Sequence, residues 1–181
     1  GDVTVVNTDS TIAANSGIVS YAIVGGNITT TNTRSAILAR MGTGIEGLIF
    51  GGGTIEFTNI DSTIEATTGS GIYAEIAGNG SADIENLNSA IHAHMSGIVA
   101  SAGTPGGTGA VTITNTDSAI FSGETGLSAV VRGNGDATIT NTNSPIISGK
   151  FGIQGTIAGN GDISVTNINS PIASARMGIY S

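Results

Sequence analysis

Residues 133–153 read GNGDATITNTNSPIISGKFGI and contain most of one copy of a repeat that runs through the whole chain. At the centre of this copy is Asn-x-[Asp/Asn/Arg]-Ser, here Asn141 to Ser144, a motif that occurs seven times. Its Asn lies at positions 7, 32, 59, 86, 115, 141 and 167, so the interval is 25 to 29 residues. A period of this length is typical of solenoid proteins, in which each repeat forms one coil.

Three columns of apolar residues accompany the motif. The first column lies four residues before each Asn: Val3, Ile28, Ile55, Ala82, Val111, Ala137 and Ile163. The second lies five residues after each Asn: Ile12, Ile37, Ile64, Ile91, Ile120, Ile146 and Ile172. The third follows a glycine: Ile18, Ile45, Ile72, Ile98, Leu127, Ile153 and Ile179. The distance from first to second column never changes, which predicts that insertions are confined to the other two turns.

Each repeat alternates with a period of two, which is the periodicity of a β-strand. In residues 162–167, Ile163, Val165 and Asn167 share one face, whereas Ser164 and Thr166 share the other. The sequence therefore predicts an all-β, right-handed, single-stranded parallel β-helix with three short strands per rung and about seven rungs of about 26 residues. A helical solenoid is excluded because the chain is rich in strand-forming and turn-forming residues and shows no helical spacing.

The repeated Asn falls at an inward position beside the first turn. A buried amide needs hydrogen-bond partners, and stacked asparagines supply them to one another along the axis. We therefore predict a structural asparagine ladder that also donates to the backbone. We predict no catalytic, cofactor or metal site among these residues.

Composition restricts the possible partners. The chain has 181 residues, of which 39% are apolar, 10% charged and 4% aromatic, with a net charge of −8 and no cysteine. The core must consist of Ile, Val and Ala, and disulfides and thiolate metal sites are excluded. An acidic surface disfavours nucleic acid and anionic lipid. No apolar run is long enough for a membrane span, so we predict no direct membrane insertion.

The outward positions of the first strand hold many threonines, an arrangement that binds ice when it is flat and unbroken. Glu56, Asp83 and Glu85 interrupt this array, which disfavours ice binding. The three carboxylates favour an alternative, a polysaccharide-cleaving enzyme, because paired carboxylates perform glycoside hydrolysis. No Lys or Arg lies in these columns and the chain has no Trp, so a solvated acidic patch is the favoured interpretation.

Two other groups are candidate ligand sites. Glu65, His92 and His94 are predicted on the outer face of the second strand, where two imidazoles and a carboxylate could bind zinc; unliganded surface histidines are the simpler interpretation. Turns such as Gly133-Asn134-Gly135-Asp136 resemble calcium-binding loops, but they occur once per rung, and a tight turn explains them.

The outer side of the third strand is predicted to be the least polar surface. It carries Val19, Tyr21, Leu48, Tyr73, Val99 and Val130. A partly apolar stripe on a solenoid marks either a contact surface or the scattered apolar residues found on any protein. We favour the contact surface.

The recurring string Thr-Asn-x-[Asp/Asn]-Ser-x-Ile, followed by Gly-Ile and Gly-Asn-Gly-Asp, resembles the passenger repeats of bacterial autotransporters, along the whole chain. The resemblance implies a secreted protein on the extracellular side of the outer membrane that functions in cell adhesion, biofilm formation or display. We therefore expect a structural and adhesive stalk without enzymatic activity. Its expected partners are glycans or proteins of a host or neighbouring cell, or copies of itself.

Residues 1–181 are predicted to form one continuous β-helix segment that is uncapped at both ends. Both terminal rungs would leave backbone groups unpaired, which favours a segment of a longer chain. The alternative is a self-assembling extracellular filament subunit that stacks end to end.

Overall fold

The computed structural model describes residues 1–181 and contains 21 β-strands, numbered β1 to β21 in chain order, with no helix. They form three parallel sheets of seven strands, and each sheet takes every third strand. The chain thus passes through one strand of each sheet per rung and completes seven rungs. The prediction of an all-β parallel β-helix is confirmed, and the structure has no helix able to cross a membrane.

The first sheet contains β1 Val3–Thr8, β4 Ile28–Thr33, β7 Gly53–Ile60, β10 Gly80–Leu87, β13 Gly109–Thr116, β16 Ala137–Thr142 and β19 Ile163–Ile168. The second contains β2 Thr11–Ala14, β5 Ala36–Ala39, β8 Thr63–Ala66, β11 Ala90–Ala93, β14 Ile120–Ser122, β17 Ile146–Ser148 and β20 Ile172–Ser174. The third contains β3 Ile18–Ala22, β6 Ile45–Ile49, β9 Ile72–Ile76, β12 Ile98–Ala102, β15 Thr125–Val131, β18 Phe151–Ile157 and β21 Met177–Tyr180.

The three predicted apolar columns point inward and stack in register. In the second sheet, for example, Ile91 pairs with Ile64 on one side and with Ile120 on the other. The core is one cluster of 28 buried residues, nearly all Ile, Val, Ala and Leu, with Phe57 as its single aromatic member. Complete burial of an Ile, Val, Leu or Phe side chain contributes about 1.5–3 kcal/mol, and an Ala contributes less, so the stability of the core is the sum of many small aliphatic contributions.

The asparagine ladder is present as predicted. Asn32, Asn59, Asn86, Asn115 and Asn141 are fully buried. The Nδ2 atom of each donates to the Oδ1 atom of the Asn in the next rung at 2.7–2.8 Å. In the later rungs the second Nδ2 proton goes to the carbonyl of the Ser three residues ahead, at 2.9 Å. Both amide protons of Asn86, Asn115 and Asn141 therefore have partners, one in the next rung and one in the same turn.

A second ladder, made by the Ser of the motif, was not predicted from the sequence. The backbone N–H of Ser118 donates to Oγ of Ser144 at 2.9 Å, and Oγ of Ser144 donates to the carbonyl of Thr142 at 2.6 Å. The same arrangement recurs along the stack, at N–H to Oγ distances of 2.9–3.1 Å. The serine thus joins successive rungs at the first turn, three residues after the Asn of the ladder.

The Asp, Asn or Arg directly before the Ser of the motif adopts the left-handed backbone conformation in all seven copies, with φ between 47° and 52°. Asp and Asn tolerate this conformation better than other non-glycine residues, which explains their prevalence there. Arg34 is the exception, and its guanidinium forms two hydrogen bonds to Asp9 of the preceding rung at 2.6 and 2.7 Å.

In the first six rungs, the glycine before the third-column residue is required by close approach to the next rung. A Cβ atom on Gly97 would lie 2.4 Å from Cγ2 of Ile120 and 2.6 Å from the carbonyl oxygen of Gly126. No side chain fits there without a shift of the backbone. The interval from Ile98 to Val111 is longer than the same interval in the other rungs, and residues 103–108 within it form an irregular turn between β12 and β13. The extra residues thus lie in a turn, outside the stacked strands, as expected for an insertion.

We expect Gly97→Ala to lower the free energy of unfolding by about 1–3 kcal/mol, because its methyl group overlaps Ile120 and Gly126. Gly178→Ala is the matched control, since it changes the same position of the repeat where nothing lies within 4 Å. Chemical denaturation measures both variants. An equal loss in the two would show that close approach does not explain this glycine column.

We expect Asn86→Asp to destabilise the fold by about 3 kcal/mol or more at neutral pH, because a buried carboxylate cannot donate to Asn115 or to Ser89. Burial raises the pKa of the new Asp in the folded state, so the loss should shrink as the pH falls and grow as it rises. The exposed Asn143→Asp is the control and should unfold like the parent. Thermal unfolding from acid to neutral pH tests this, and a pH-independent loss contradicts it.

Candidate functional site

The acidic patch lies on the outer face of the first sheet, as predicted. Asp83 pairs with Glu56 of the preceding rung and Glu85 follows on the same face of β10. The patch is a shallow recess that is also lined by threonines and by Phe57 and Ile84, whose side chains belong to the core. No cationic side chain lines it. The structure therefore brings the three carboxylates together but supplies no cation to stabilise a developing anion beside them.

The histidine group lies on the outer face of the second sheet. His92 pairs with Glu65 of the preceding rung, and both line one recess with His94. The ring of His92 stacks on that of Phe121 in the next rung, with centroids 4.6 Å apart and planes 12° apart. No group of three or more His, Cys, Asp or Glu side chains in the chain is arranged to hold a metal ion. The stacking on Phe121 orients His92.

The side chains of the Gly-Asn-Gly turns bind the neighbouring rung. Oδ1 of Asn134 accepts a hydrogen bond from the backbone of Asn160 at 2.9 Å, and Oδ1 of Asp136 accepts one from Asp162 at 3.0 Å. Oδ1 of Asn79 likewise accepts from the backbone of Thr108 at 2.9 Å. These oxygens are therefore engaged in stacking, which agrees with the interpretation of the loops as tight turns.

The outer face of the third sheet carries the predicted apolar residues, such as Val19, Tyr21 and Tyr73, and its role as a contact surface stays a prediction. The same face also carries charged residues that were not predicted to lie together. Glu46 pairs with Tyr73, and Glu75 lies two residues after Tyr73 on the same face. Oη of Tyr73 donates to Oε2 of Glu75 at 2.6 Å, and Nη1 of Arg132 donates to Oε1 of Glu75 at 2.7 Å. Both oxygens of this carboxylate are thus fixed.

Burial and the hydrogen bond to Glu75 raise the pKa of Tyr73 to about 12, so the phenol remains a donor. Burial acts to raise the pKa of Glu75, but the hydrogen bonds from Tyr73 and Arg132 and the charge of Arg132 outweigh it and hold that pKa below its ordinary value. Arg132 reaches Glu75 across an intervening rung. That rung contributes Ser101, which pairs with Glu75 and is itself buried.

A group of exposed apolar residues adjoins this face, at the corner between the third and first sheets of the first two rungs. Ile23 and Val24 follow β3 and are 74% and 92% exposed; Phe50 follows β6 and is 60% exposed. The backbone of Phe50 bonds to Ala22, so the two turns lie side by side. We call Ile23, Val24 and Phe50, together with the neighbouring Tyr21, the apolar corner.

Sequence reasoning missed Glu46, Glu75 and Arg132 as members of one surface. Strand alternation could have placed both glutamates outward, since they occupy the positions of Val19 and Tyr21 in later rungs. The pairing with Arg132 had no sequence signal, because 57 residues separate it from Glu75.

Comparison of the chain with family models, curated proteins and solved structures finds no match in any of the three.

The network around Glu75 predicts a pH-dependent contribution to stability. Because the pKa of Glu75 is lowered on folding, its ionised form stabilises the fold above the unfolded pKa, and this is lost as the pH falls through the folded value. We expect Glu75→Gln to lower the Tm at pH 7, with the difference from the parent closing as the pH falls below the ordinary pKa of a glutamate. Glu56→Gln, which removes a carboxylate outside any ion pair, is the control and should not lower the Tm at pH 7.

Proposed function

We propose that this chain is a structural and adhesive stalk segment of a bacterial extracellular surface protein. The observation that carries the proposal is the apolar corner, where large apolar side chains stand exposed on a solenoid whose interior is otherwise well packed. Contiguous exposed apolar residues of this kind mark contact surfaces on soluble proteins. The partner we propose is a protein or glycan of a host or neighbouring cell surface.

The stalk part of the proposal rests on the way the rungs are joined. Each rung contacts its neighbours through three parallel sheets, the asparagine ladder and the serine ladder. Bending the axis would stretch several of these hydrogen bonds at once, so the solenoid suits a stiff spacer. The resemblance to autotransporter passenger repeats supports an exported, cell-surface location and a role without catalysis.

Beads coated with the purified chain test the adhesive role. We expect them to adhere to cell monolayers, and Ile23→Ser/Val24→Ser/Phe50→Ser to reduce adhesion about ten-fold or more, because a few exposed apolar residues dominate contacts of this kind. The matched control is Val6→Ser/Phe121→Ser/Ile147→Ser, which removes three exposed apolar side chains from other faces.

Equal losses in both triple variants, or no adhesion by the parent, would refute this role. Beads that clump with one another and ignore cells would instead favour the alternative, a filament subunit that binds copies of itself.

A further inference from the structure

A small recess beside Tyr73 adjoins the apolar corner through Tyr21 and Glu46, and it is separate from the acidic patch. It has a volume of about 230 Å³ and is lined by Thr43, Glu46, Gly69, Ser70, Tyr73 and Met95. Pockets for drug-sized ligands measure about 300–1,000 Å³, so this recess suits one narrow group.

Glu46 is a half-buried carboxylate in this recess without a cationic partner. The three ion pairs of the chain are Arg34–Asp9, Arg132–Glu75 and Lys150–Glu124, and none includes it. Its single side-chain hydrogen bond is a long one of 3.5 Å from Oη of Tyr21. Water can reach this carboxylate, so its acceptor capacity is open to a cationic ligand that forms the charge-assisted hydrogen bonds no side chain of this chain supplies.

The surroundings of Glu46 indicate the charge of that ligand. Arg132 neutralises Glu75 on the far side of Tyr73, whereas the charge of Glu46 remains uncompensated. The net charge of −8 attracts cations towards the whole surface. The recess therefore favours a cation over an anion or a neutral group.

The apolar members of the recess indicate the shape of the ligand. The ring of Tyr73 and the half-exposed thioether of Met95 offer a polarizable surface beside the carboxylate. Such a surface suits the methylene stem of a lysine, and a tyrosine ring attracts a nearby ammonium group. Glu46 and the hydroxyl-bearing Thr43 and Ser70 offer several acceptors for the three N–H donors of a primary ammonium.

We propose that this recess binds the side chain of a lysine presented by a partner protein. The inference deepens the proposed adhesive role by naming a chemistry for one contact. Its test measures peptide binding in solution and changes none of Ile23, Val24 and Phe50, the residues changed in the adhesion test. The lysine site can therefore fail while the adhesive role stands, and the adhesive role can fail while the lysine site stands.

The probe is an acetylated and amidated peptide, Gly-Gly-Lys-Gly-Gly, titrated into the ¹⁵N-labelled chain and followed by NMR. We expect amide shifts centred on residues 43, 46, 69–73 and 95. Glu46→Gln should weaken binding about five-fold or more, and Tyr73→Phe, which keeps the ring, should change it less than about two-fold. The control Glu65→Gln removes an exposed carboxylate from another sheet and should leave binding unchanged.

Equal weakening by Glu46→Gln and Glu65→Gln would overturn the proposal, because it would reduce the effect to net charge. A second peptide with norleucine in place of the lysine keeps the methylene stem without the ammonium group, and binding as tight as that of the lysine peptide would also overturn the proposal. Cellobiose is the glycan probe, and a response of these amides to cellobiose but not to the lysine peptide would likewise overturn it. A trimethyllysine peptide that binds more weakly than the lysine peptide supports the role of the three N–H donors.

Discussion

The fold depends on the requirement that a buried amide find hydrogen-bond partners. The side-chain amide of an asparagine inside the solenoid has two N–H donors and an acceptor oxygen. Each of these needs a partner, and a single coil cannot supply all of them. Stacked coils can, provided that each Asn lies directly above the next. A shift of one residue would turn every Asn and every apolar column outward. The ladder therefore fixes the register of the first sheet, and the invariant turn that follows it carries that register into the second.

The same constraint explains where the chain varies. Between Asn and the second apolar column the spacing is constant, because the Ser ladder, the left-handed residue and the Asn ladder all lie on that turn. The other two turns have no such continuous ladder of side-chain hydrogen bonds between rungs. The longest irregular turn, at residues 103–108, and the apolar corner with Ile23, Val24 and Phe50 both lie between the third sheet and the first. The longest insertion and the apolar corner thus lie in a turn that no continuous side-chain ladder constrains.

The sequence predicted the Asn ladder but missed three other columns. The role of the serine was hidden because its main interactions are with backbone atoms, which every sequence contains. The left-handed residue was visible only as a preference for Asp and Asn, and Arg34 obscured that preference. The glycine column appeared as a recurring Gly-Ile pair, but its reason, contact with the second-column isoleucine of the next rung, requires coordinates.

The sequence by itself determined the coil, its three inward columns and its number of rungs, because each repeat contains its own alternation and burial pattern. It also placed Glu56, Asp83 and Glu85 on one face, since alternation and a constant interval suffice for neighbouring rungs. Only the tertiary structure decided which outward side chains meet. Arg132 reaches Glu75 over an intervening rung, and Glu46 remains half-buried without a cation. Such contacts depend on side-chain reach across stacked coils, a distance that sequence spacing does not encode.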